Sequence, residues 1–584
     1  MAALTWNRLG AALSAALEDA ERSTQGGGRD DTLERLVGHI PPQPLSFVGR
    51  EQAMAELSSA MTQALHGRGG LVLISGEAGI GKSRLMGEFA TLAARAGVTA
   101  LWASCWEGGE APVFWPWMQV LRAYVRGRDL AELQRELGAG ASELGRLVPE
   151  LAGGAPDPQP LAAEEARFRL FDAVAGCLRR ASQAGALLIA VDNLHAADEA
   201  SLSLLRFLAT DLRDCRVLLL GSFRDDEVAR DAALWRLLGE LGGAATRIQL
   251  RGLSADEVEQ LMHEWSEKAP QPELAQALHA RTRGNPFFVR EVLRLLGAGP
   301  AALDGVPDSV RQVIERRLSR LEPAALELLR SASLLGAEFS PALLAELSGQ
   351  PLAQLYAQLA PALASRLLER DERRDLYRFA HALVREVCYT QLDDARRREL
   401  HRIAARAIEQ RDRDRARPRA AEAAFHYLRA GAPEDLRRAL DGSEQAARSA
   451  RRLGAHEDAA LHLSRALELL SRLDEPDDVR RCGLLLELGA VHAARGALRE
   501  AQDTHAHAAE LAQLIGHAEL AARAALGFGL EFGAGGSDER EVALLQSALA
   551  LQSPGDSPQR ARLMSRLSRA LLFGVRHAER AQLA

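Results

Sequence analysis

The stretch Leu71-Val72-Leu73-Ile74-Ser75-Gly76-Glu77-Ala78-Gly79-Ile80-Gly81-Lys82-Ser83-Arg84 decides the fold. Four apolar residues lead into Gly-x4-Gly-Lys-Ser, the spacing of a phosphate-binding P-loop. The run Leu71 to Ile74 predicts a strand buried on both faces, as in a parallel sheet. The glycines let the backbone turn tightly, so that successive N–H groups face inward towards a triphosphate. From Lys82 to about Ala96 the spacing of Leu85, Met86, Phe89 and Leu92 predicts a helix that stops at Gly97. The phosphates then lie at a helix N-terminus, where N–H groups and the dipole favour anions. The candidate nucleotide-binding residues of this stretch are Gly76, Glu77, Ala78, Gly79, Ile80, Gly81, Lys82, Ser83 and Arg84. Lys82 would act on the phosphates and Ser83 on a magnesium ion.

Composition supports a functional lysine. Lys82 and Lys268 are the two lysines of the chain; the rest of its 72 Lys and Arg residues are arginine. A chain drifted so far towards arginine keeps a lysine where a compact, rotatable ammonium is needed, which a planar guanidinium does not imitate.

The 584 residues predict several domains. Hydrophobic content of 47% with 26% charged residues is ordinary for globular cores. A formal net charge of -7 gives no bulk electrostatic case for nucleic acid or anionic membranes. The five cysteines form no CxxC pair, which argues against a zinc site or a disulfide framework. With no basic-then-apolar leader and no apolar run near ~20 residues, a cytoplasmic location without a membrane partner is expected.

Residues 1–46 predict a short amphipathic helix from Trp6 to Arg22 and a Gly- and Pro-rich linker. Phe47-Val48-Gly49-Arg50-Glu51 then opens a helix to about Leu65. Further strands are predicted at Val98–Ser104, Leu187–Asp192, Cys215–Ser222 and Thr246–Leu250, alternating with helices. With a P-loop, this order predicts a three-layer parallel sheet. The aromatic stretch Phe114-Trp115-Pro116-Trp117 is expected to pack an inserted helical segment. The apolar run into Asp192-Asn193 reads as a Walker B strand whose carboxylate holds the metal already touched by Ser83. A second acid is absent; Asn193 can orient a water but cannot take its proton. Asp198 is a possible substitute base, and slow hydrolysis is the alternative.

These segments together resemble the STAND branch of AAA-type P-loop ATPases, specifically the ATPase core of large ATP-binding LuxR-type bacterial regulators. The resemblance rests on Phe47–Glu51, the P-loop, Glu107–Trp117, the Asp192 strand, Phe223-Arg224, Gly284-Asn285-Pro286 and the Tyr377–Glu386 stretch. It implies that Val48, Gly49 and Arg50 lie along the adenine. It further implies that Arg224 senses the γ-phosphate, that Pro286 packs on adenine, and that His381 reaches the β-phosphate from a winged-helix domain. For Arg224 a local salt bridge, and for His381 a helix-capping or core role, are the competing readings. The expected cofactors are ATP or ADP with Mg2+.

The implied architecture is a P-loop ATPase domain at 47–250, a small helical domain at 251–304 and a winged-helix-like domain at 305–412. Beyond it, Gly454, Ala459 and Ala466 repeat as Gly496, Ala501 and Ala508, offset by 42 residues. Small residues at helix crossings predict tetratricopeptide-like hairpins over 413–584, longer than the usual ~34-residue unit and expected to continue past Ala584. The expected function is an ATP/ADP-binding signalling switch with slow hydrolysis. Its repeats would bind an inducer or partner, and its nucleotide state would govern self-association. Alternatives are an ATP-gated scaffold without turnover, and part of a transcriptional regulator whose DNA-reading domain lies outside this chain. No DNA-reading element is evident within it. A small-molecule kinase would leave the helical half unexplained.

Overall fold

The structure is a computed structural model that describes residues 47–106, 112–126, 128–152, 163–225, 232–265, 272–296, 310–371, 375–412, 419–473, 477–529 and 539–571. The helix and linker expected over 1–46, the residues Glu107 to Ala111 and Val306-Pro307 lie outside this set. The described residues divide into two compact units, one reaching to Ala407 apart from a short piece ending at Arg167, the other from Ile408 onward.

Five strands build the first sheet: β1 Gly70–Ser75, β2 Thr99–Ser104, β3 Leu187–Asp192, β4 Val217–Phe223 and β5 Ala245–Gln249. Their order is β2-β3-β4-β1-β5 and every pair is parallel. Side chains alternate across a strand, so parity reports the face. Val72, Ile74, Ala100, Trp102, Leu188, Ala190, Leu218, Leu220 and Ile248 share one face. There they pack with Met54, Leu57 and Met61 of the helix Glu51–Leu65 and with Leu85, Met86 and Phe89 of the helix Lys82–Arg95. The odd-numbered Leu71, Leu73, Leu101, Ile189, Val191, Val217 and Leu219 are buried as well. Both faces are therefore covered, which explains why these strands read as continuous apolar runs rather than as alternating ones. Burial of this many aliphatic side chains, at ~1.5–3 kcal/mol each, dominates the stability of the unit.

The aromatic stretch packs inward. Phe114 and Trp117 are buried, and Trp117 Nε1 donates to the Ser201 carbonyl at 3.0 Å.

After β5 the first unit continues as helices. Leu253, Val258, Leu261, Leu278, Phe288, Val289 and Val292 form one apolar cluster, which Val48 joins. Ser254 opens the helix Ala255–Trp265 with a reciprocal cap: Glu257 N donates to Ser254 Oγ at 3.2 Å and Ser254 N to Glu257 Oε2 at 2.6 Å. A second sheet follows, antiparallel and three-stranded: β6 Glu338–Phe339, β7 Leu368–Asp371 and β8 Leu376–Phe379, in the order β6-β8-β7.

The second unit is helical throughout its described residues. Helices from Ala420–Ala430 to Pro558–Ala570 each pack on the next in sequence. Gly454 and Gly496 hold left-handed turns at φ 71° and 74°, and Ala459, Ala466, Ala501 and Ala508 are buried where the helices cross. His505, in the helix Leu498–Leu514, is 3% exposed and neither ring nitrogen has a partner. A Cβ added at Gly489 or Gly527 would come within 2.7 or 2.5 Å of its ring.

Candidate functional site

The loop from Gly76 to Ser83 leaves β1 at the carboxyl edge of the sheet, where open α/β folds place ligands. Gly81, at φ 103°, turns the chain into the helix that begins at Lys82. Five consecutive carbonyls of the loop are hydrogen-bonded, two of them to Lys82 at its end and three to groups outside it. Lys82 Nζ donates to the oxygens of Gly76 at 2.7 Å and Glu77 at 2.9 Å. Asn285 Nδ2 donates to Ala78 O at 3.0 Å, Phe287 N to Gly79 O at 3.3 Å and the Arg50 guanidinium to Ile80 O at 3.0 Å. In a planar trans peptide the N–H stands opposite the C=O. The carbonyls of Ala78, Gly79 and Ile80, held by groups outside the loop, leave the N–H groups of the same peptides on the opposite side, the arrangement that anion binding uses. Lys82 is only 7% exposed, and its ammonium is paired by these carbonyls.

Gly79 is where three parts of the first unit meet. At φ 80° it adopts a left-handed conformation. A Cβ here would stand 3.0 Å from Asn285 Oδ1, 3.0 Å from Phe287 Cβ and 3.3 Å from His381 Nε2. Pro286 starts the helix Pro286–Leu296 between the two residues that touch the loop. His381 caps the helix Ala382–Thr390, its Nδ1 accepting from Leu383 N at 3.2 Å, and its ring stacks on Phe287 at 3.8 Å. The capping role and a position against the P-loop thus belong to the same side chain.

Asp192 ends β3 and is 6% exposed. Its Oδ1 accepts from Ser222 Oγ on the neighbouring β4 and from Asn193 N at 3.1 Å. Asn193 N also lies 3.1 Å from Ser222 Oγ, and Asn193 sits at φ 61°, a left-handed position that asparagine tolerates. Ser83 remains exposed at the first turn of its helix. A hydroxyl open to solvent, a buried carboxylate at a strand end and a buried ammonium are a donor set that fits Mg2+ and a triphosphate. Arg224 directly follows β4, the strand beside β1, at the same edge of the sheet. Arg84 pairs with Glu88 at 2.6 Å and lies over the Phe47 ring at 6.0 Å.

Asp198 is placed differently. It caps the helix Glu199–Asp211, accepting from Ser201 N at 2.8 Å, Ser201 Oγ at 2.6 Å and Phe114 N at 3.2 Å. Burial pushes its carboxyl above the usual range, and these donors oppose that rise. Its oxygens are committed to the loop that packs Phe114, a geometry that weighs against a base in the nucleotide cleft.

Ser222, Asn285 and Phe287 carry contacts that sequence reasoning did not assign to them. For Asn285 a signal existed, since Asn-Pro between two helical stretches marks a turn. Ser222 offered none beyond being polar within an apolar strand.

No helix among the described residues is long and apolar enough to cross a membrane.

The family model of the AAA ATPase domain matches residues 46–220. An uncharacterized protein of Rhizobium meliloti (strain 1021) is 26% identical over 481 residues, covering 75% of this chain and 44% of that protein. The chain thus spans less than half the length of this curated relative. Among solved structures, a STAND protein with a tetratricopeptide repeat sensor from Pyrococcus horikoshii aligns at TM-score 0.46 and 16% identity, over 94% of this chain and 77% of its own. Cdc6p from Pyrobaculum aerophilum aligns at TM-score 0.28 and 14% identity, over 62% and 99%. The segment that matches the AAA ATPase domain model runs from the helix Glu51–Leu65 into β4 and contains Lys82 and Asp192.

Proposed function

We propose that this protein is a STAND-type signalling switch that binds ATP or ADP with Mg2+ and turns ATP over slowly. The observation that carries it is the set of five hydrogen-bonded loop carbonyls, from Gly76 to Ile80. Their donors come from the helix at Lys82, the segment at Arg50 and the turn at Asn285–Phe287. Groups so far apart in sequence converge on one loop, so an anion held by that loop acts on all of them.

In this reading Lys82 holds the phosphates, Ser83 and Asp192 hold the metal, and Arg224 and His381 respond to the phosphate chain. Val48, Gly49, Arg50 and Pro286 border the base. Mg2+ supplies charge neutralisation of the phosphates. The domains are 47–250 for the ATPase, 251–304 for a small helical domain, 305–412 for a winged-helix-like domain and 413–584 for tetratricopeptide-like repeats. The repeats would take an inducer or a protein partner, and self-association would follow the nucleotide state. A ligand shifts such an equilibrium only through its differential affinity for the two states.

Asn193 favours a second reading, an ATP-gated scaffold without useful turnover. Its N–H is engaged with the Asp192 carboxylate and the Ser222 hydroxyl, and its side chain has no basic oxygen to accept a proton. One experiment separates the two. Nucleotide released from the denatured pure protein is identified, and phosphate release is measured for wild type, Lys82→Ala and Asn193→Asp. The switch reading expects bound nucleotide, slow release by wild type and none by Lys82→Ala. Release by Asn193→Asp alone supports the scaffold, and absence of any exchangeable nucleotide removes both.

A further inference from the structure

The helix Pro286–Leu296 has two faces of opposite character. Phe288, Val289, Val292 and Leu293 join the apolar cluster around Leu253 and Val258. Phe287, Glu291 and Arg294, spaced by four and three residues, share another face. Glu291 there is 0% exposed and bridges two guanidiniums. Arg294 donates to its Oε1 at 2.6 Å, and Arg317 of the helix Val310–Leu318 donates to its Oε2. The other amino nitrogen of Arg317 donates to the carbonyl of Ser365, which ends the helix Leu352–Ala364.

Both sides of this network return to the P-loop. On the helix, Glu291 lies about one turn beyond Phe287, whose N–H holds the Gly79 carbonyl and whose ring stacks on His381. On the other side, Ser365 is followed by Arg366, left-handed at φ 52°, and by Leu367, whose carbonyl accepts from Ala380 N at 3.0 Å. The next residue is His381, with Nε2 towards Gly79. Contacts thus run from Gly79 through Phe287, Glu291, Arg317 and Ser365 to His381, and back to Gly79. A buried ion pair adds little net stability, because desolvation offsets the attraction. It does fix geometry. A carboxylate between two guanidiniums, one of which also holds a carbonyl, accepts one register, whereas apolar side chains tolerate sliding.

We propose that Glu291 is a positioning residue for nucleotide binding. By fixing the register between the helix Pro286–Leu296 and the turn at Ser365, it holds Phe287 and His381 together against Gly79. The inference rests on the reading of Gly76 to Ser83 as the phosphate loop. Stability and nucleotide retention then separate, because apolar side chains can replace the charges as glue but not as a register.

The test loads the full chain with a fluorescent ADP analogue, chases with ADP, and follows release, urea unfolding and amide hydrogen exchange. Glu291→Gln is expected to speed release roughly fivefold or more. Exchange at 285–287 and 381–383 should quicken with it, while β1 to β5 stay protected. Arg317→Lys keeps the charge but not the fork that spans Glu291 and Ser365; it should fold normally and still speed release. The triple variant Glu291→Leu/Arg294→Met/Arg317→Met leaves no buried charge unpaired, so its urea midpoint should match or exceed wild type. Its release should nevertheless stay fast. Recovery of wild-type release in the triple variant would make the network mere glue and overturn the proposal. Wild-type release in Glu291→Gln and Arg317→Lys would overturn it too. Failure of wild type to bind ADP sinks the nucleotide reading itself. Exchange of the nucleotide-free chain then decides: lost protection at 285–287 and 381–383 in the triple variant upholds the positioning role, and wild-type protection there overturns it.

Discussion

His381 and His505 both lie against glycines, in different units of the chain, and they are treated in opposite ways. The His381 ring is partly exposed, anchored through Nδ1 to Leu383 N and stacked on Phe287, with Nε2 towards Gly79. Its Nε2 faces a loop whose shape suits an anion. The His505 ring fills the room left by Gly489 and Gly527, and both nitrogens are buried without partners. Burial pulls it down to about 4, with His492 adding to the effect. One imidazole is presented to chemistry; the other is held neutral as packing. The difference lies in whether the glycine opens onto polar backbone or onto a helix crossing.

Acidification tests this contrast most severely. Burial also lowers His462 to about 4 and His426 to about 3. For each, the unfolded chain binds a proton that the folded unit refuses, so stability is complete above about pH 6.5 and falls as pH drops towards 4. The loss is roughly 1.4 kcal/mol per pH unit for each histidine in that window. Urea unfolding of the full chain at pH 7, 6 and 5, followed by hydrogen exchange, should show the helices beyond Ile408 giving way first. His505→Leu should flatten the slope by one histidine's share; an unchanged slope would break the packing reading.

Lys82→Ala should weaken ATP and ADP roughly tenfold to a hundredfold, the worth of a charge-assisted phosphate bond, as measured by equilibrium dialysis. It should leave the acid response of the second unit untouched. Gly79→Ala puts a methyl group among Asn285, Phe287 and His381 at a left-handed φ. We expect a cost of about 2 kcal/mol in unfolding free energy. Weaker nucleotide binding, and loss of protection at both 285–287 and 381–383, should accompany it. Exchange confined to the P-loop would deny the three-way meeting. Asp198→Asn is expected to cost about 1 kcal/mol of stability with phosphate release unchanged. A collapse of turnover with normal stability would restore Asp198 as a base.

Much of the first sheet was legible because its strands are buried on both faces and so appear as apolar runs. Leu71–Ile74 and Leu187–Asp192 needed no tertiary information, and the lysine at 82 stood out by composition alone. The predicted start of β4 at Cys215 was early by two residues, since Cys215 lies in the turn that precedes Val217. What escaped depends on register and distance. Ser222 matters only because β4 pairs beside β3, and Asn285 reaches Ala78 across 207 residues. The pair Glu291–Arg317 exists only once two helices are packed, and its members are unremarkable charges in the sequence. Asp198 was read from the sequence as a possible base, whereas the structure uses it to cap the helix Glu199–Asp211.

The meeting at Gly79 also sets an order in time. During synthesis the P-loop leaves the ribosome well before the turn at Asn285, and that turn before His381. A nascent chain that has completed β5 holds the sheet and the lysine, while the partners for the carbonyls of Ala78 and Gly79 are still to come. On the proposed reading, the loop is therefore available to phosphate earlier than Asn285, Phe287 and His381, and nucleotide already held there would template their docking as they emerge.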